Sequence, residues 1–389
     1  MRILTVTSLY PSAAQPQRGL FVRERLRRLQ QYHRVEAAVV APVPWFPFKS
    51  DRFGEYGVMA RAPAIESAVE GMVYHPRYVH VPKVSDVFSP LAFAIAVVRE
   101  IRRRRIEFDV IDAHFLFPDG VAAVLAARWA RRPVLLSARG SDINLIAHER
   151  IAGRWIRWAL RRADGLIGVS CELVQELRRL SGRDDVELIT NGVDRDRFCP
   201  SADRSALRQR LGVSGFAVLS VGNLIELKGH RLVIDAVSRI ADATLFILGD
   251  GPQRAQLAAQ AQSMGLGNRV HLMGSVPQDR LADYYRAADV LVLASSHEGL
   301  PNVVLESLAS GTPVVATPTG GAREVLTGFS GGLLCERNPV AIAVALQTVR
   351  ENAPDPVAVR AAVDRFDWRV CADRLERTFQ RLLARESQQ

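Results

Sequence analysis

The predicted fold depends on the stretch Ser296-His-Glu-Gly-Leu-Pro-Asn-Val-Val-Leu-Glu306. It follows an apolar run, residues 289–294, that we predict to be a buried strand. Gly299 and Pro301 end this extended run, and a proline suits the first turn of a helix, where backbone N–H groups have no partner. The stretch therefore predicts a helix that begins near Pro301 or Asn302, at the carboxyl end of a strand, where open α/β sheets bind ligands.

The start of this predicted helix has the chemistry of a phosphate site. Its unpaired N–H groups and the positive end of its dipole favour an anion. Glu298 lies in the loop before the helix, and Glu306 lies inside it, about one turn deep. One carboxylate can reach hydroxyls on one side of a bound diphosphate and the other can reach hydroxyls on the far side. A sugar–diphosphate–ribose ligand has that layout.

The full run resembles the donor site of the retaining family-four glycosyltransferases, which have the GT-B fold. Glu298 and Glu306 carry this resemblance together with Ala309-Ser-Gly-Thr-Pro-Val-Val-Ala316 and Gly320-Gly-Ala-Arg-Glu324. Two glutamates at this spacing are by themselves more often solvated helix charges, whereas the whole run, in order, is specific. The resemblance implies that Glu306 holds the donor ribose and that Glu298 faces the hydroxyls of the donor sugar.

Length and composition describe an ordinary soluble protein. The chain has 389 residues, which favours two or three domains, with 48% hydrophobic and 24% charged residues. Its first residues predict a strand and not a signal peptide, and no apolar run reaches the length of a membrane span. The cysteines have no Cys-x-x-Cys spacing, which indicates reduced thiols of a cytoplasmic protein and not a metal site; they are Cys171, Cys199, Cys335 and Cys371.

Positive charge is concentrated in the first half of the sequence. Residues 1–200 contain 31 Lys and Arg against 22 Asp and Glu, whereas residues 201–389 contain 20 against 19. This asymmetry favours an anionic partner, such as a membrane surface or a lipid-linked phosphate acceptor, and we predict no nucleic-acid partner. Equally, it could reflect only a compositional preference for arginine, because lysine occurs at positions 49, 83 and 228 alone.

Apolar strands and amphipathic helices alternate through the first half, which predicts a doubly wound parallel sheet. We expect strands near 2–7, 35–40, 108–115, 133–138, 165–169 and 186–190, and helices near 20–31, 91–105, 121–129, 151–162 and 172–180. Residues 42–90 are rich in proline and aromatic residues and predict an irregular insertion with short strands. Within it, residues 45–48 could line an acceptor groove or simply pack at the edge of a loop.

Three polar residues fall at or just beyond strand ends and are candidates for catalysis. They are His114, Arg139 and Asp142. The resembled family usually has His-Gly-x-Asp where this chain has Arg139-Gly-Ser-Asp142. Arginine cannot act as a base at neutral pH, but it can bind a phosphate or a carboxylate. His114 is then the remaining candidate near the acceptor hydroxyl.

Lys228 is the candidate cation for a leaving diphosphate. It lies in the loop Gly222-Asn-Leu-Ile-Glu-Leu-Lys-Gly-His230, and with Glu298 it completes our set of candidate catalytic residues. The family usually has arginine where this chain has Asn223, so one of two expected cations is missing, and Arg139 is a candidate substitute. The resemblance assigns further donor contacts, which are Gly19, Asn223, Asp250, Gly251, Gly274, Val276, Gly299, Leu300, Pro301 and Asn302.

The resemblance extends over the whole chain and implies its domain organisation. Residues 1–195 would form an acceptor-side Rossmann-like domain and residues 196–366 a donor-binding one, joined by a hinge that contains Asn191-Gly-Val-Asp194. In the GT-B fold two such doubly wound domains face a cleft. Residues 367–389 would form a helix that crosses back to the first domain.

These expectations define one function and two alternatives. The expected function is retaining transfer from a UDP- or GDP-linked sugar to a hydroxyl of a glycan or lipid-linked acceptor in surface polysaccharide biosynthesis, with peripheral contact to an anionic membrane. No Asp-x-Asp motif heads a donor loop, so we predict no required metal ion and no cofactor. The alternatives are a nucleotide-sugar 2-epimerase of the same fold and a non-catalytic nucleotide-sugar-binding subunit.

Overall fold

The computed structural model describes residues 1–80, 87–328 and 331–386, and it consists of mainly parallel sheets covered by helices. The strands are β1 (Arg2–Val6), β2 (Glu36–Val40), β3 (Val43–Pro44), β4 (Ile65–Ala68), β5 (Gly71–Tyr74), β6 (Arg77–Tyr78), β7 (Val110–His114), β8 (Val134–Ala138), β9 (Gly165–Gly168), β10 (Val186–Leu188), β11 (Phe216–Val221), β12 (Ala243–Leu248), β13 (Val270–Gly274), β14 (Val290–Leu293), β15 (Val314–Ala316) and β16 (Gly332–Leu334). The helices are α1 (Leu20–Tyr32), α2 (Gly54–Met59), α3 (Ser89–Arg104), α4 (Val121–Ala130), α5 (Ser141–Asn144), α6 (Arg150–Leu160), α7 (Cys171–Ser181), α8 (Arg204–Leu211), α9 (His230–Val237), α10 (Arg254–Ser263), α11 (Gln278–Ala287), α12 (Asn302–Ala309), α13 (Gly320–Leu326), α14 (Pro339–Glu351), α15 (Pro356–Ala361) and α16 (Trp368–Glu386). None of the described helices is long and apolar enough to cross a membrane.

The chain divides into two compact units. The first contains residues 1–191 together with the last helix, α16, and the second contains residues 192–367. The sequence predicted these limits at 195/196 and 366/367. Each unit has its own sheet and its own hydrophobic core.

The first unit is built on a sheet whose strand order is β10-β9-β8-β7-β1-β2-β5-β4, parallel except for β4. The order reverses between β1 and β7, which is the switch point where such sheets bind ligands. Parallel crossovers are right-handed, so α1 lies on one face of the sheet and α4 and α6 lie on the other. The final helix α16 packs beside α1, and α3 packs beside α4.

Burial explains why these segments adopt their structures. In α1 the side chains of Val22, Leu26 and Leu29 recur every three or four residues and are buried on one helix face. Strands β7 and β8 are buried at every position, because helices cover both faces of the sheet. In α16, Leu375 and Phe379 are buried against Val110 and Leu135 of these strands.

The second unit contains a six-stranded parallel sheet of order β13-β12-β11-β14-β15-β16 within the described residues. Its order reverses between β11 and β14, so the loops after these two strands diverge and leave a crevice. Apolar residues of β11, β12 and β14 form the core with α9 and α14.

The predicted irregular insertion contains short strands, as expected. Strands β3 and β6 form a two-stranded sheet, while β4 and β5 join the edge of the main sheet. Lys83 and the rest of residues 81–86 lie outside the described residues.

Two details differ from the sequence prediction. Helix α3 begins at Ser89 and not at residue 91, because Pro90 occupies its first turn. Residues Leu116–Gly120 form a wide π turn with non-helical φ and ψ at Phe117, whereas Pro118-Asp-Gly120 was expected only to open α4. The buried carboxylate of Asp119 links this turn to the loop after β1, since it accepts hydrogen bonds from the backbone amide and the hydroxyl of Ser8.

Candidate active site

The loops after β11, β12 and β14 contact one another at the carboxyl edge of the second sheet. The amide of Leu224 donates to the carbonyl of Asp250 at 2.9 Å, and the amide of Gln253 donates back to the carbonyl of Leu224 at 3.0 Å. The amide of Ser296 donates to the carbonyl of Leu227 at 2.9 Å. The structure therefore brings together most of the residues that the sequence assigned to donor binding.

Lys228 and Glu298 form an ion pair in this group of loops. Lys228 Nζ donates to Glu298 Oε1 at 2.6 Å, and Ser295 Oγ donates to the same oxygen at 2.6 Å. The lysine side chain is 26% exposed and the glutamate side chain is 11% exposed, so both can be reached by a ligand. Since both bonds use Oε1, the geometry leaves Oε2 available to accept from a ligand hydroxyl.

Two glycines hold the loop that carries Glu298. The amide of Gly321 donates to the carbonyl of Gly299 at 2.7 Å. A Cβ atom on Gly320 would lie 2.2 Å from the carbonyl oxygen of Glu298, and one on Gly321 would lie 2.5 Å from that of Gly299. Only glycine permits this approach, which fixes the backbone immediately before α12.

Helix α12 begins where the sequence predicted. Pro301 precedes it as the N-cap, with extended ψ of 106°, and the first turn contains no acidic side chain. The first backbone N–H groups of a helix have no partner within it, so this end of α12 can bind an anion. Leu300 is buried just ahead of it, and Asn302 is half-buried as its first residue.

Glu306 lies on α12 and is held by a residue that the sequence did not indicate. The hydroxyl of Tyr285, a fully buried residue of α11, donates to Glu306 Oε2 at 2.8 Å. Burial raises the pKa of Glu306 to about 7, although the hydrogen bond from Tyr285 and the charge of Arg197 oppose the shift. The carboxyl group therefore titrates close to neutral pH in the absence of a ligand.

Asn223 is exposed at the position where the family usually has arginine. Its carbonyl bonds to His230 Nε2 at 3.3 Å, while His230 Nδ1 bonds to the hydroxyl of Ser220 at 2.9 Å. Burial lowers the pKa of His230 to about 4, so the ring is neutral and ties the Asn223 loop to the end of β11. Sequence reading missed His230, although its place directly after Gly229 at the start of α9 could have indicated it.

Glycines also shape the loops after β12 and β13. Gly249 has a φ of 142°, and a Cβ atom there would lie 1.9 Å from the carbonyl oxygen of Gly222. Its amide donates to the carbonyl of Gly274 at 2.8 Å. Gly251 packs in the same way on Leu224, and Val276 is half-buried beyond β13.

Two arginines that the sequence did not single out lie beside these loops. Arg337 Nε donates to the carbonyl of Ala294 at 2.9 Å, and its Nη2 donates to that of Glu226 at 3.3 Å. Arg254 Nη2 donates to the carbonyl of Leu272 at 3.0 Å, close to Gly274. The donor half of the candidate site therefore contains cations besides Lys228.

In the first unit, the buried His114 and the half-buried Arg139 contact each other. His114 is 1% exposed, and its Nε2 lies 3.1 Å from Asp112 Oδ2 while Arg139 Nη2 donates to its Nδ1. This pairing places the proton on Nε2 and leaves no ring nitrogen free to act as a base. Burial lowers the pKa of His114 to about 4, so the ring is neutral.

Arg139 is directed at partners within the first unit. Its Nη1 donates to Asn191 Oδ1 at 3.1 Å, and its guanidinium lies 5.1 Å from the ring centroid of Phe21. Burial lowers its pKa to about 9, which still leaves it charged at neutral pH. Its guanidinium is therefore already bonded within its own unit. From the sequence, Arg139 was a candidate substitute for the missing phosphate-binding cation.

Asp142 organises the backbone of two loops. Its buried carboxylate accepts hydrogen bonds from the amides of Leu116, Arg139, Gly140 and Ile143, at 2.8–3.2 Å. Burial raises its pKa, and these amides oppose the shift. The contacts describe a residue that positions the loop of Arg139.

A buried arginine completes this cluster. Arg25 of α1 donates to the hydroxyl of Ser137 at 3.2 Å and lies 3.9 Å from Asp112 Oδ1. Arg25 shares the apolar helix face with Val22 and Leu29. Its place in that apolar pattern could have indicated from the sequence that this arginine is buried.

The loop after β1 returns onto itself at Gly19. Gly19 caps α1 with a φ of 65°, and a Cβ atom there would lie 2.1 Å from the carbonyl oxygen of Leu9. The glycine is therefore required by the loop itself, whatever ligand it contacts.

The insertion surrounds a cavity of about 270 Å³ in the first unit. Aromatic and polar side chains line it, among them Tyr56, Tyr78, His80, Arg18 and Glu55. Trp45 and Phe48, for which the sequence left open an acceptor groove or the edge of a loop, do not line this cavity and are exposed.

No group of three or more His, Cys, Asp or Glu side chains with metal-site geometry occurs among the described residues.

Comparisons with known proteins agree with this architecture. Residues 21–197 match the model of Glycosyltransferase Family 4, and residues 215–352 match that of Glycosyl transferases group 1. The chain is similar to TuaC of Bacillus subtilis (strain 168), a glycosyltransferase named for teichuronic acid biosynthesis. The two sequences are 30% identical over 89% of this chain and 88% of TuaC.

Solved structures share the fold. Sucrose-phosphate synthase from Thermosynechococcus elongatus superposes with a TM-score of 0.79 at 21% identity, over 98% of this chain and 99% of that one. HepE of Anabaena, in complex with UDP-glucose, superposes with a TM-score of 0.73 at 23% identity, over 97% of this chain and 99% of that one. The fold is the GT-B fold, with two Rossmann-like units of parallel strands. The chain is a glycosyltransferase and belongs to glycosyltransferase family 4, within the group-1 glycosyl transferases.

Proposed function

We propose that the chain transfers a sugar from a nucleotide-diphosphate sugar to a hydroxyl of a glycan or lipid-linked acceptor, with retention at the anomeric carbon, in surface polysaccharide biosynthesis. The observation that carries the proposal is the arrangement around α12. Glu298 precedes the helix and is bonded to Lys228, while Glu306 lies within it and is bonded to Tyr285. A diphosphate at the helix start would have one carboxylate toward its sugar and the other toward its ribose.

Charge stabilisation of the leaving diphosphate would come from the protein itself. The amides at the start of α12 are fixed before the reaction, as electrostatic stabilisation of a leaving group requires, and the partly exposed ammonium of Lys228 would add a cation. We propose on this basis that no divalent ion is needed. Gly19, by analogy with the family, would contact the same phosphates.

Retention requires attack on the face from which the diphosphate leaves, with a phosphate oxygen accepting the proton of the acceptor hydroxyl. An inverting reaction would need a positioned base. His114 has both ring nitrogens engaged. Glu298 forms an ion pair with Lys228 and accepts a hydrogen bond from Ser295, which favours its role as an acceptor of sugar hydroxyls over that of a nucleophile. In this proposal His114, Arg139 and Asp142 position the acceptor side and transfer no proton.

The donor is proposed to be UDP- or GDP-linked, and UDP is the first to test because the similar structure of HepE holds UDP-glucose. The acceptor would enter the first unit, whose cavity of about 270 Å³ has the mixed aromatic and polar lining of a small-ligand site. TuaC is named for teichuronic acid biosynthesis, which favours a surface glycan or its lipid-linked precursor. We place the reaction in the cytoplasm, at the inner face of the plasma membrane.

The first experiment is thermal shift and diphosphate release with UDP-, GDP-, ADP- and dTDP-sugars, with and without EDTA. We expect one base to stabilise the protein and to support slow release that EDTA leaves unchanged and that E306A and K228A abolish. The matched control is K49A, because Lys49 is an exposed lysine of the insertion, outside the donor loops. Failure of every donor to bind would contradict the proposed donor site.

A second candidate is a nucleotide-sugar-binding subunit without turnover. It is favoured by Asn223, an exposed neutral side chain where the family usually supplies a cation. Such a protein would be stabilised by a donor but would release no diphosphate with any acceptor. Rapid release of nucleotide in the absence of acceptor would favour a 2-epimerase.

A further inference from the structure

One face of the first unit combines many arginines with exposed apolar side chains. It is formed by α3, α4 and α6, which pack in succession on the side of the sheet opposite α1 and α16. These three helices contain eight arginines and one acidic residue, Glu100. Glu100 is buried and accepts a hydrogen bond from Arg104 at 3.0 Å, so it offsets little of the surface charge. We refer to this surface as the α3–α4–α6 face.

Helix α3 contributes an exposed stripe that is apolar at one end and basic at the other. Phe88, which precedes the helix, and Ile95 are 65% and 67% exposed, and Leu91 lies between them. The stripe continues at the helical spacing of three or four residues with Arg99 and Arg102, both exposed. Three large apolar side chains in one row on a surface are typical of a contact site.

Helix α6 places tryptophans beside this stripe. Trp155 Nε1 donates to the carbonyl of Val87 at 3.1 Å, which links α6 to the start of α3. Trp158 meets Trp155 edge to face at 5.7 Å. Arg154 of α6 is exposed, and so is Ile151, which lies three residues before it on the same helix.

The end of α4 joins the same surface. The guanidinium of Arg102 in α3 lies 4.7 Å from the ring centroid of Trp129, which is 42% exposed. Arg128 is exposed beside it and Arg131 follows the helix as its cap. The apolar, aromatic and basic side chains therefore form one continuous face.

We propose that the α3–α4–α6 face docks the protein on the surface of an anionic lipid bilayer. Arginines interact with acidic headgroups, tryptophans are favoured at the headgroup level, and Phe88, Leu91 and Ile95 gain free energy by entering the edge of the acyl region. The apolar stripe favours a bilayer over a nucleic acid, because a phosphate backbone would attract the arginines but would offer nothing to these side chains. The inference is independent of the proposed reaction, since it needs no donor and no acceptor.

The test is co-sedimentation of the full chain with vesicles, without any sugar nucleotide. We expect binding to vesicles of phosphatidylcholine mixed with phosphatidylglycerol and little binding to phosphatidylcholine alone. Binding should weaken in about 1 M salt, where the Debye length falls to about 3 Å.

Three variants locate the surface. R99Q/R102Q/R103Q should lower partitioning onto the anionic vesicles by roughly a hundred-fold, because each arginine near a membrane surface contributes about fivefold. F88S/I95S should lower it while leaving the salt dependence in place. The matched control R239Q/R280Q/R385Q removes the same charge from exposed positions elsewhere and should change binding by less than about twofold.

Each variant is checked by its melting temperature, so that loss of fold is distinguished from loss of the surface. If the control variant loses as much vesicle binding as R99Q/R102Q/R103Q, the effect depends only on net charge and the proposal is overturned. The proposal is also overturned if R99Q/R102Q/R103Q and F88S/I95S both bind vesicles as well as the wild type does. A third overturning result is binding to a single-stranded RNA, and not to vesicles, that R99Q/R102Q/R103Q abolishes and F88S/I95S leaves intact.

Discussion

At the residue scale, the ion pair between Lys228 and Glu298 sets the charge of the donor half of the site before a ligand arrives. A diphosphate would compete with the carboxylate for the ammonium group, because the pair is partly exposed and not locked in the core. The same lysine can therefore orient Glu298 in the free protein and stabilise the leaving group in the complex.

Replacing Lys228 by alanine should lower the rate constant of the transfer step by about 10²–10³, which is the usual cost of removing one donor to a developing charge. Single-turnover measurements at saturating donor would isolate this step from binding. K49A removes a lysine from the exposed insertion and should leave the rate unchanged. Turnover of K228A at the wild-type rate would remove Lys228 from the mechanism.

Glu306 makes a contribution to the stability of the ligand-free protein whose pH dependence has a known sign. Burial raises its pKa from 4.5 to about 7, so the folded protein retains a proton that the unfolded chain releases. The contribution of Glu306 to the free energy of unfolding should therefore fall as the pH rises from about 4.5 to 7 and stay level above that, by at most about 3 kcal/mol. Urea denaturation of the wild type and of a variant that lacks this carboxyl group isolates the contribution from that of other groups, such as His114 and His230, whose lowered pKa values act in the opposite direction.

The variant E306Q supplies the reference for this measurement, since its amide does not titrate. The difference in unfolding free energy between wild type and E306Q should decline from pH 4.5 to 7, and a difference that stays constant would mean that Glu306 is already ionised at acid pH. A nucleotide sugar whose ribose hydroxyls donate to Glu306 should move the decline to lower pH.

At the scale of elements, the approach of α13 to the loop before α12 decides how firmly the donor loop is held. Replacing Gly320 by alanine should destabilise the second unit by on the order of 2–4 kcal/mol. Its φ is 41°, and the new Cβ would lie 2.2 Å from the carbonyl oxygen of Glu298. Nucleotide binding, measured by calorimetry, should weaken with it.

G212A is the matched control for this change. Gly212 also has a positive φ, 66°, but a Cβ atom there would meet nothing within 4 Å. It should therefore cost only the backbone strain of about 1–2 kcal/mol and leave nucleotide affinity intact. Equal loss of affinity in G212A and G320A would show that general destabilisation, and not the glycine contact, controls the loop.

The sequence predicted elements well where their pattern is local. The strand before Glu298 is buried on both faces, and Gly299 and Pro301 end it, so α12 could be placed to within a residue. At Pro118-Asp-Gly120 the start of α4 was predicted locally, but the contact of Asp119 with Ser8, more than a hundred positions away in the chain, could not be predicted. Nothing local to either residue encodes that contact.

The same limit applies to the candidate site. Lys228, Glu298 and Glu306 were named from their motif, whereas Tyr285 was missed because its bond to Glu306 arises only when α11 packs on α12. His114 was named from its position at a strand end, but position alone could not show that Asp112 and Arg139 occupy both of its ring nitrogens.

At the scale of the whole molecule, the division of the chain predicts that the donor half is autonomous. A fragment of residues 192–367 contains a complete sheet and core, and it should fold alone and bind the same nucleotide as the full chain. Circular dichroism and calorimetry would test both properties. The fragment with E306A is the control, and a fragment that folds but binds nothing would place essential donor contacts in the first unit.

The first unit differs, because its core is assembled from both ends of the chain. Leu375 and Phe379 of α16 are buried against Val110 and Leu135, so residues 1–191 alone lack part of their interior. This discontinuity has a consequence for synthesis on the ribosome. The second unit is complete in the nascent chain once residue 367 has emerged, whereas the first must wait for α16, although most of it was made earlier. Folding would then finish in the order opposite to translation, and the exposed surface that α16 later covers is where a chaperone would bind meanwhile.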